Sequence, residues 1–191
     1  MSVEVDIREN LFVISGPSGC GKNTVYNALK QRMPNIQRVI TATTRTPREN
    51  EQHGVDYYFL SASEYFKGCN DGVFVESAFY DNSYYATPIS EIERFSLQVP
   101  VFLIVDTRGK DAIKKKYPRA ITIFLMPPSI EETVRRIKER GVNTAEEIER
   151  RISRAKAEIN GAQLYDHIVV NDNLEHCVDL IEKIIRESIS S

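Results

Sequence analysis

Leu11-Phe12-Val13-Ile14-Ser15-Gly16-Pro17-Ser18-Gly19-Cys20-Gly21-Lys22 is the stretch on which the fold turns. The uncharged run Leu11 to Ser15 reads as a short buried strand, and the glycine-rich segment after it as the loop at its carboxyl end. Beyond Lys22, the apolar residues Val25, Ala28, Leu29 and Met33 recur at helical spacing until Pro34 stops the pattern. Strand, glycine loop and helix in this order are the setting of a phosphate-binding loop. Gly16 to Lys22 fits the first seven positions of G-x-x-x-x-G-K-[ST]. Glycines let successive backbone N–H groups converge on phosphate oxygens, and the helix start adds its positive dipole end. Lys22 supplies a mobile cation for the group being transferred. Gly16, Pro17, Ser18, Gly19, Cys20, Gly21, Lys22, Asn23 and Thr24 are therefore the candidate ATP-binding segment. Asn23 stands where a Ser or Thr hydroxyl usually helps hold Mg²⁺, and an amide oxygen is a less usual ligand. Mg²⁺ is expected to be held mainly through nucleotide phosphates and water, with Asn23, Thr24 or Asp106 as the protein groups within reach.

Working outward, Arg38 to Ala42, Pro100 to Asp106, Ala120 to Leu125 and Ile168 to Val170 read as further strands. Residues 129–160 read as helical with a break at Gly141, and Leu174 to Ile189 carries a helical apolar stripe. Strands alternating with helices imply an α/β fold, a parallel sheet flanked by helices on both faces. Residues 55–90 differ, holding most of the chain's aromatics, with turns expected at Asp71-Gly72 and Asp81-Asn82 between short strands. They predict a small inserted subdomain, for which many of the aromatics would serve as core.

The 191 residues suit one folding unit, and 41% hydrophobic with 27% charged residues is the balance of a chain that buries a core. Lys plus Arg number 25 against 27 Asp plus Glu, and a net charge of −2 argues against a broad polyanion-binding surface. No nucleic acid is therefore expected as partner; the run Lys110, Lys114, Lys115, Lys116 and Arg119 reads as the outer face of a helix. Cys20, Cys69 and Cys177 form neither a paired framework nor a metal-ligand spacing. Val101 to Val105 is far too short to span a membrane, and MSVEVDIREN lacks the marks of a signal peptide. A cytoplasmic protein without a membrane partner is expected, and nothing in the sequence marks an oligomeric state.

Thr41-Ala42-Thr43-Thr44-Arg45-Thr46-Pro47-Arg48, followed by Gly54-Val55-Asp56-Tyr57-Tyr58-Phe59, makes the expectation specific. With the phosphate loop, these segments closely resemble the guanylate kinase family, whose T-T-R-T-P-R-x-x-E and G-x-D-Y-x-F signatures stand almost unaltered. The resemblance spans residues 11–187 and continues through Phe74-Val75-Glu76, Asn82 to Thr87, Pro127-Pro128-Ser129, Arg136 to Gly141 and Val170-Asn171-Asp172. It implies a P-loop NTPase core (11–40, 99–130 and 160–191), a GMP-binding subdomain at about 41–90 and a helical lid at about 136–155. It also implies transfer of the γ-phosphoryl group of ATP to GMP or dGMP. Arg45, Arg48, Tyr57 and Tyr85 would then grip the GMP phosphate, a set suited to a dianion that must be held still yet stay nucleophilic. Thr41, Glu76, Thr87 and Asp106 would read the base. Guanine offers N1–H and a 2-amino group to one carboxylate, whereas adenine offers a lone pair at N1, so Glu76 would select guanine.

Seven basic residues against four acidic ones lie between Arg135 and Arg154. A helical charge run is usually a solvated face, but the resemblance implies that Arg136, Arg140 and Arg151 close on the ATP phosphates as lid arginines. It also implies that Asn171 lies near the adenine, while the residue type alone suits a cap or turn. Besides Asn23, two positions depart from the family pattern: Ala86 replaces a glycine and Ile104 replaces an acid. They leave open a related kinase acting on another phosphorylated acceptor, such as a ribose bisphosphate. A non-catalytic, protein-binding relative is the other alternative, against which Lys22, Arg45, Arg48 and Arg151 speak.

Overall fold

β1 (Leu11–Ser15) is buried at every position and lies in the middle of a five-stranded sheet. The structure is a computed structural model that describes residues 10–80, 82–95, 99–139 and 144–189. From β1 the chain runs through α1 (Lys22–Arg32) to β2 (Gln37–Arg38). It then builds a second unit from β3 (Ala42–Thr43), β4 (Tyr58–Phe59), α2 (Ala62–Asn70), β5 (Phe74–Tyr80) and β6 (Ser83–Pro88). It returns through α3 (Ile89–Glu93) to β7 (Val101–Ile104), α4 (Thr107–Lys116), β8 (Ile121–Met126), α5 (Ile130–Glu139) and α6 (Ala145–Asn160). β9 (His167–Val170) and α7 (Leu174–Ile189) finish the described chain.

The main sheet has the order β2-β7-β1-β8-β9, and all four of its pairings are parallel. Because side chains alternate along a strand, β1 feeds two cores. Phe12 and Ile14 join Val25 and Leu29 of α1 and Val178, Ile181 and Ile185 of α7. Leu11 and Val13 join Ile92 of α3, Ile113 of α4 and Tyr117. Helices thus cover both faces, as the alternating pattern requires, and each fully buried Leu or Phe contributes about 1.5–3 kcal/mol. Among the described residues no helix is long and apolar enough to cross a membrane, and Cys20, Cys69 and Cys177 are free thiols.

The strand expected over Arg38 to Ala42 is in fact two. Gln37–Arg38 pairs with β7 in the main sheet, whereas Ala42–Thr43 pairs with β4 and β6 in a four-stranded sheet of order β4-β3-β6-β5. Between them the Ile40 N–H donates to Glu91 of α3, which draws the chain out of the first sheet. Asp71-Gly72 likewise closes α2 rather than joining two strands. The helix has a full capping box: Ser61 Oγ accepts from the Glu64 N–H and Glu64 accepts from the Ser61 N–H. The second turn does join two strands, with Tyr80 opposite Ser83 in the β5–β6 register and Asn82 at φ 60°. Tyr65 is buried and stacks on Tyr84 at 4.8 Å, so this pair is subdomain core, whereas Phe66 and Phe79 pack on Tyr84 from the exposed side. Asp81 and the expected helix break at Gly141 lie outside the described residues.

The loop after β1 passes so close to β8 that a Cβ on Gly16 would meet the Leu125 carbonyl oxygen at 2.4 Å and Cys20 Sγ at 2.9 Å. Backbone cannot yield as a side-chain tip can. Gly16→Ala is expected to destabilise the fold by about 1–3 kcal/mol and to disrupt the loop, measurable as a lower urea midpoint; an unchanged midpoint would contradict this packing.

Candidate active site

The loop between β1 and α1 is built to expose N–H groups. Gly19 (φ 88°) and Gly21 (φ 98°) take left-handed conformations that suit glycine. Gly21 caps α1 without a side-chain bond, and the first turn of α1 carries no acid, so the positive end of the helix stays uncompensated. Lys22 Nζ donates to the carbonyls of Gly16 (2.5 Å) and Pro17 (3.1 Å). Asn171, buried at the end of β9, donates from Nδ2 to the Cys20 carbonyl at 2.7 Å. Asn171 therefore braces the loop from behind and is not among the residues that line the cleft. Arg136 of α5 also reaches the loop, donating from Nη1 to the Gly19 carbonyl at 3.1 Å. Its Nε donates to Glu132, whose pKa is lowered to about 2 by Arg135 and Arg136.

In front of the loop opens one cleft. Gly16, Ser18, Gly19, Gly21, Lys22, Asn23 and Thr24 line one side of it, and Thr41, Arg48, Tyr57, Glu76, Tyr85 and Asp106 the other. The structure thus brings residues from both candidate groups to one space. Pro17 and Cys20 shape the loop without lining the cleft, Arg151 lies on α6 and does not line it, and Arg140 lies outside the described residues.

The acceptor side is positioned by β3 and β6. Thr43 Oγ1 accepts from the Arg45 N–H and donates to the Tyr84 carbonyl, and Thr44 Oγ1 accepts from the Tyr84 N–H. Arg45 donates from Nη2 to both carboxylate oxygens of Glu51 at 2.8 Å, and its guanidinium lies 5.6 Å from the centre of the Tyr57 ring. Burial works against that positive charge, but Glu51 and Tyr85 outweigh it and raise the Arg45 pKa. Glu51 also takes the Arg48 N–H at 2.9 Å, while the Arg48 guanidinium stays exposed at the cleft wall. Arg45 is thus one layer behind the lining, supporting Tyr57. Glu51 is the closing acid of the T-T-R-T-P-R-x-x-E signature, which gives it no role; its contacts show that it holds Arg45 and the Arg48 backbone.

At the far end, Glu76 of β5 stands opposite Thr87 of β6, whose hydroxyl donates to Glu76 Oε1 at 2.6 Å. Burial, with the nearby Asp106 charge, raises the Glu76 pKa from 4.5 to about 7. A Cβ on Gly109 would come within 2.9 Å of Glu76 Oε2, so the first turn of α4 closes over this carboxyl. Asp106 caps that turn, its Oδ1 accepting from the N–H groups of Arg108 (3.0 Å) and Gly109 (2.9 Å). The two departures, Ala86 and Ile104, both line the cleft, as do Ala78, Tyr80 and Glu158, to which sequence reasoning assigns nothing. Among the described residues no group of three or more His, Cys, Asp or Glu side chains could hold a metal ion.

Fold and cleft together define a phosphate-loop protein whose loop faces a smaller inserted subdomain across one space. Comparison with known proteins makes the class particular. The family profile named Guanylate kinase matches residues 8–188. The guanylate kinase of Gloeobacter violaceus is 40% identical over 180 residues, covering 94% of this chain and 88% of that protein. That of Porphyromonas gingivalis is 43% identical over 184 residues, covering 94% and 98%. The crystal structure of guanylate kinase from Anaplasma phagocytophilum matches with a TM-score of 0.79 and 29% identity, over 99% of this chain and 89% of that one. The chain belongs to the guanylate kinase family.

Proposed function

We propose that this protein is an ATP:GMP phosphotransferase, transferring the γ-phosphoryl group of ATP to GMP or dGMP to give ADP and GDP or dGDP. The observation that carries the proposal is the single cleft with Lys22 at its phosphate-loop end and the Glu76–Thr87 pair at the other. ATP phosphates lie on the loop N–H groups, with Lys22 turning from the Gly16 and Pro17 carbonyls to the phosphoryl group in transfer. Arg48, Tyr57 and Tyr85 hold the acceptor phosphate, and Arg45 stiffens Tyr57 from behind. The attacking phosphate is already an anion, so the reaction needs alignment and charge stabilisation rather than a general base. Arg136, Arg140 and Arg151 belong to a lid, residues about 136–155, whose closure adds positive charge and excludes water. Core, acceptor subdomain and lid divide the work within one chain of the cytoplasm.

Mg²⁺ enters with ATP. Among the described residues beside the loop, the Asn23 amide, the Thr24 hydroxyl and the Asp106 and Glu158 carboxylates line the cleft, oxygen donors that suit a hard cation keeping most of its contacts to phosphate and water. When bound, it neutralises phosphate charge.

Glu76 reads guanine through N1–H and the 2-amino group, and Thr87 holds the carboxylate in place. Protonated Glu76 can no longer accept from both donors, so with a pKa near 7 the KM for GMP should rise about tenfold between pH 8 and pH 6. The GMP phosphate titrates near pH 6 as well, so the part due to Glu76 is the part that vanishes in Glu76→Gln. The sign for the free fold is opposite. A carboxyl raised from 4.5 to about 7 contributes stability that is fully present below 4.5 and lost as the pH rises through 7. Titration calorimetry tests base reading directly: GMP and dGMP should bind and AMP should not. Equal affinity for AMP would remove the guanine assignment.

A further inference from the structure

Glu158, on the last part of α6, lines the same cleft as Lys22, Asn23 and Asp106. It is only 9% exposed. Among the described residues, none donates a hydrogen bond to its carboxylate or forms an ion pair with it, and Lys22, Arg154 and Arg108 act on it only through space. Other buried acids of this protein are engaged. Glu91 accepts from the Ile40 N–H, the Tyr58 hydroxyl and Arg94, and Glu76 accepts from Thr87. Glu158 is mostly buried as a residue, yet its carboxylate oxygens are not fully enclosed and open onto the cleft; the surrounding burial raises its pKa. Such an acceptor, aimed into a cleft, points to a ligand that supplies the missing positive charge or donors.

The neighbours narrow the choice. Lys22 lies close enough to act on Glu158, yet it bonds to the Gly16 and Pro17 carbonyls instead of closing an ion pair. Asp106 faces Glu158 as a second negative charge; its Oδ1 is committed to the α4 cap, while Oδ2 has only a long ion-pair contact, 3.9 Å, to Arg108 Nε. Asn23, in the position after the loop lysine, brings an amide where a hydroxyl usually stands, and Ile104 brings no oxygen at all. Two carboxylates beside a phosphate loop otherwise meet the phosphates of the donor with repulsion. A divalent cation reverses that sign, and Mg²⁺ is commonly held by one or two carboxylates together with substrate phosphates and several waters.

We propose that Glu158, together with Asp106, holds the water shell of the divalent cation that enters with ATP, and so takes the part a hydroxyl at position 23 would otherwise play. This rests on ATP being the phosphoryl donor. Glu158 acts as a positioning residue: it orients waters on the cation and touches neither nucleotide.

The test is a Mn²⁺ titration followed by electron paramagnetic resonance, on the whole protein with a non-hydrolysable ATP analogue. Glu158→Gln is expected to weaken Mn²⁺ binding to the protein–nucleotide complex by about tenfold or more, the usual effect of losing an outer-shell partner. Binding of the analogue without metal should hold or tighten, because a negative charge leaves the surroundings of its phosphates. Asn23→Ser in the Glu158→Gln background should restore part of the Mn²⁺ affinity. Unchanged Mn²⁺ affinity in Glu158→Gln, or equal loss of nucleotide affinity with and without metal, would overturn the proposal. If Glu158→Gln does not fold, Glu158→Asp, which keeps the charge but shortens its reach, gives the same comparison. A GMP-kinase assay of the unaltered protein runs alongside. Silence there sinks the phosphotransferase assignment, whereas the Mn²⁺ titration reads Glu158 on its own.

Discussion

Lys22→Ala is expected to lower turnover by on the order of 10³, with the affinity for GMP unchanged. The ammonium sits where the β1 loop turns into α1, and its present partners are two loop carbonyls and, at 3.7 Å, Cys20 Sγ, rather than a carboxylate. Releasing it toward phosphate therefore breaks no ion pair, and removing it leaves no buried acid orphaned in direct contact. The fold should lose little. What is lost is, among the described residues, the one cation of the cleft lining on the loop side, since Arg48 stands on the acceptor side. That cation is needed most where charge builds on the oxygens in transfer. Single-turnover kinetics would report the loss, and calorimetry with GMP would report intact acceptor binding. Turnover within tenfold of the unaltered protein would take Lys22 out of the mechanism.

Glu76→Gln carries the second large effect, a fall of about 10²–10³ in kcat/KM for GMP. A glutamine amide accepts from one guanine donor but turns its own NH₂ group toward the other. The site is then left with two donors facing each other inside a closed pocket, and an unsatisfied buried group costs more than a missing contact. Adenine meets the same amide as a complementary partner, so relative use of AMP should rise. The Thr87 hydroxyl donates to Glu76 in the unaltered protein and can instead accept from the introduced amide, which keeps the variant folded. An unaltered preference for GMP over AMP would show that another group reads the base.

How much of this was legible in the sequence depends on how local each signal is. β1, its glycine loop and α1 are a contiguous pattern, and the buried run Leu11 to Ser15 with Pro34 as a stop is enough to place them. β2 and β3 are not local. Each is two residues long and is defined by its partner, so one apolar run is shared between two sheets. α2 is present in the sequence as Ser61-Ala62-Ser63-Glu64, but the surrounding aromatics favour strands. In the cleft, the motif residues Lys22, Arg48, Tyr57, Glu76 and Tyr85 converge. Their supports are less visible. Glu51 closes the T-T-R-T-P-R-x-x-E signature and Asn171 stands in Val170-Asn171-Asp172, but neither motif announces the partner, Arg45 at 6 positions or the Cys20 carbonyl at 151. Glu158 lies in a helical charge run where a solvated face is the ordinary expectation, and only its burial sets it apart. Near neutrality of the whole chain is equally uninformative about the cleft, because Glu51 and Glu132 balance Arg45 and Arg136 locally.

The central claim is that one cleft passes a phosphoryl group from ATP to a guanine nucleotide. A coupled ADP-release assay with ATP and, in turn, GMP, dGMP, AMP, CMP and UMP tests it most directly. ADP should appear with GMP and dGMP and stay at background with the other three. ADP release with none of them, or with AMP as readily as with GMP, would contradict the account.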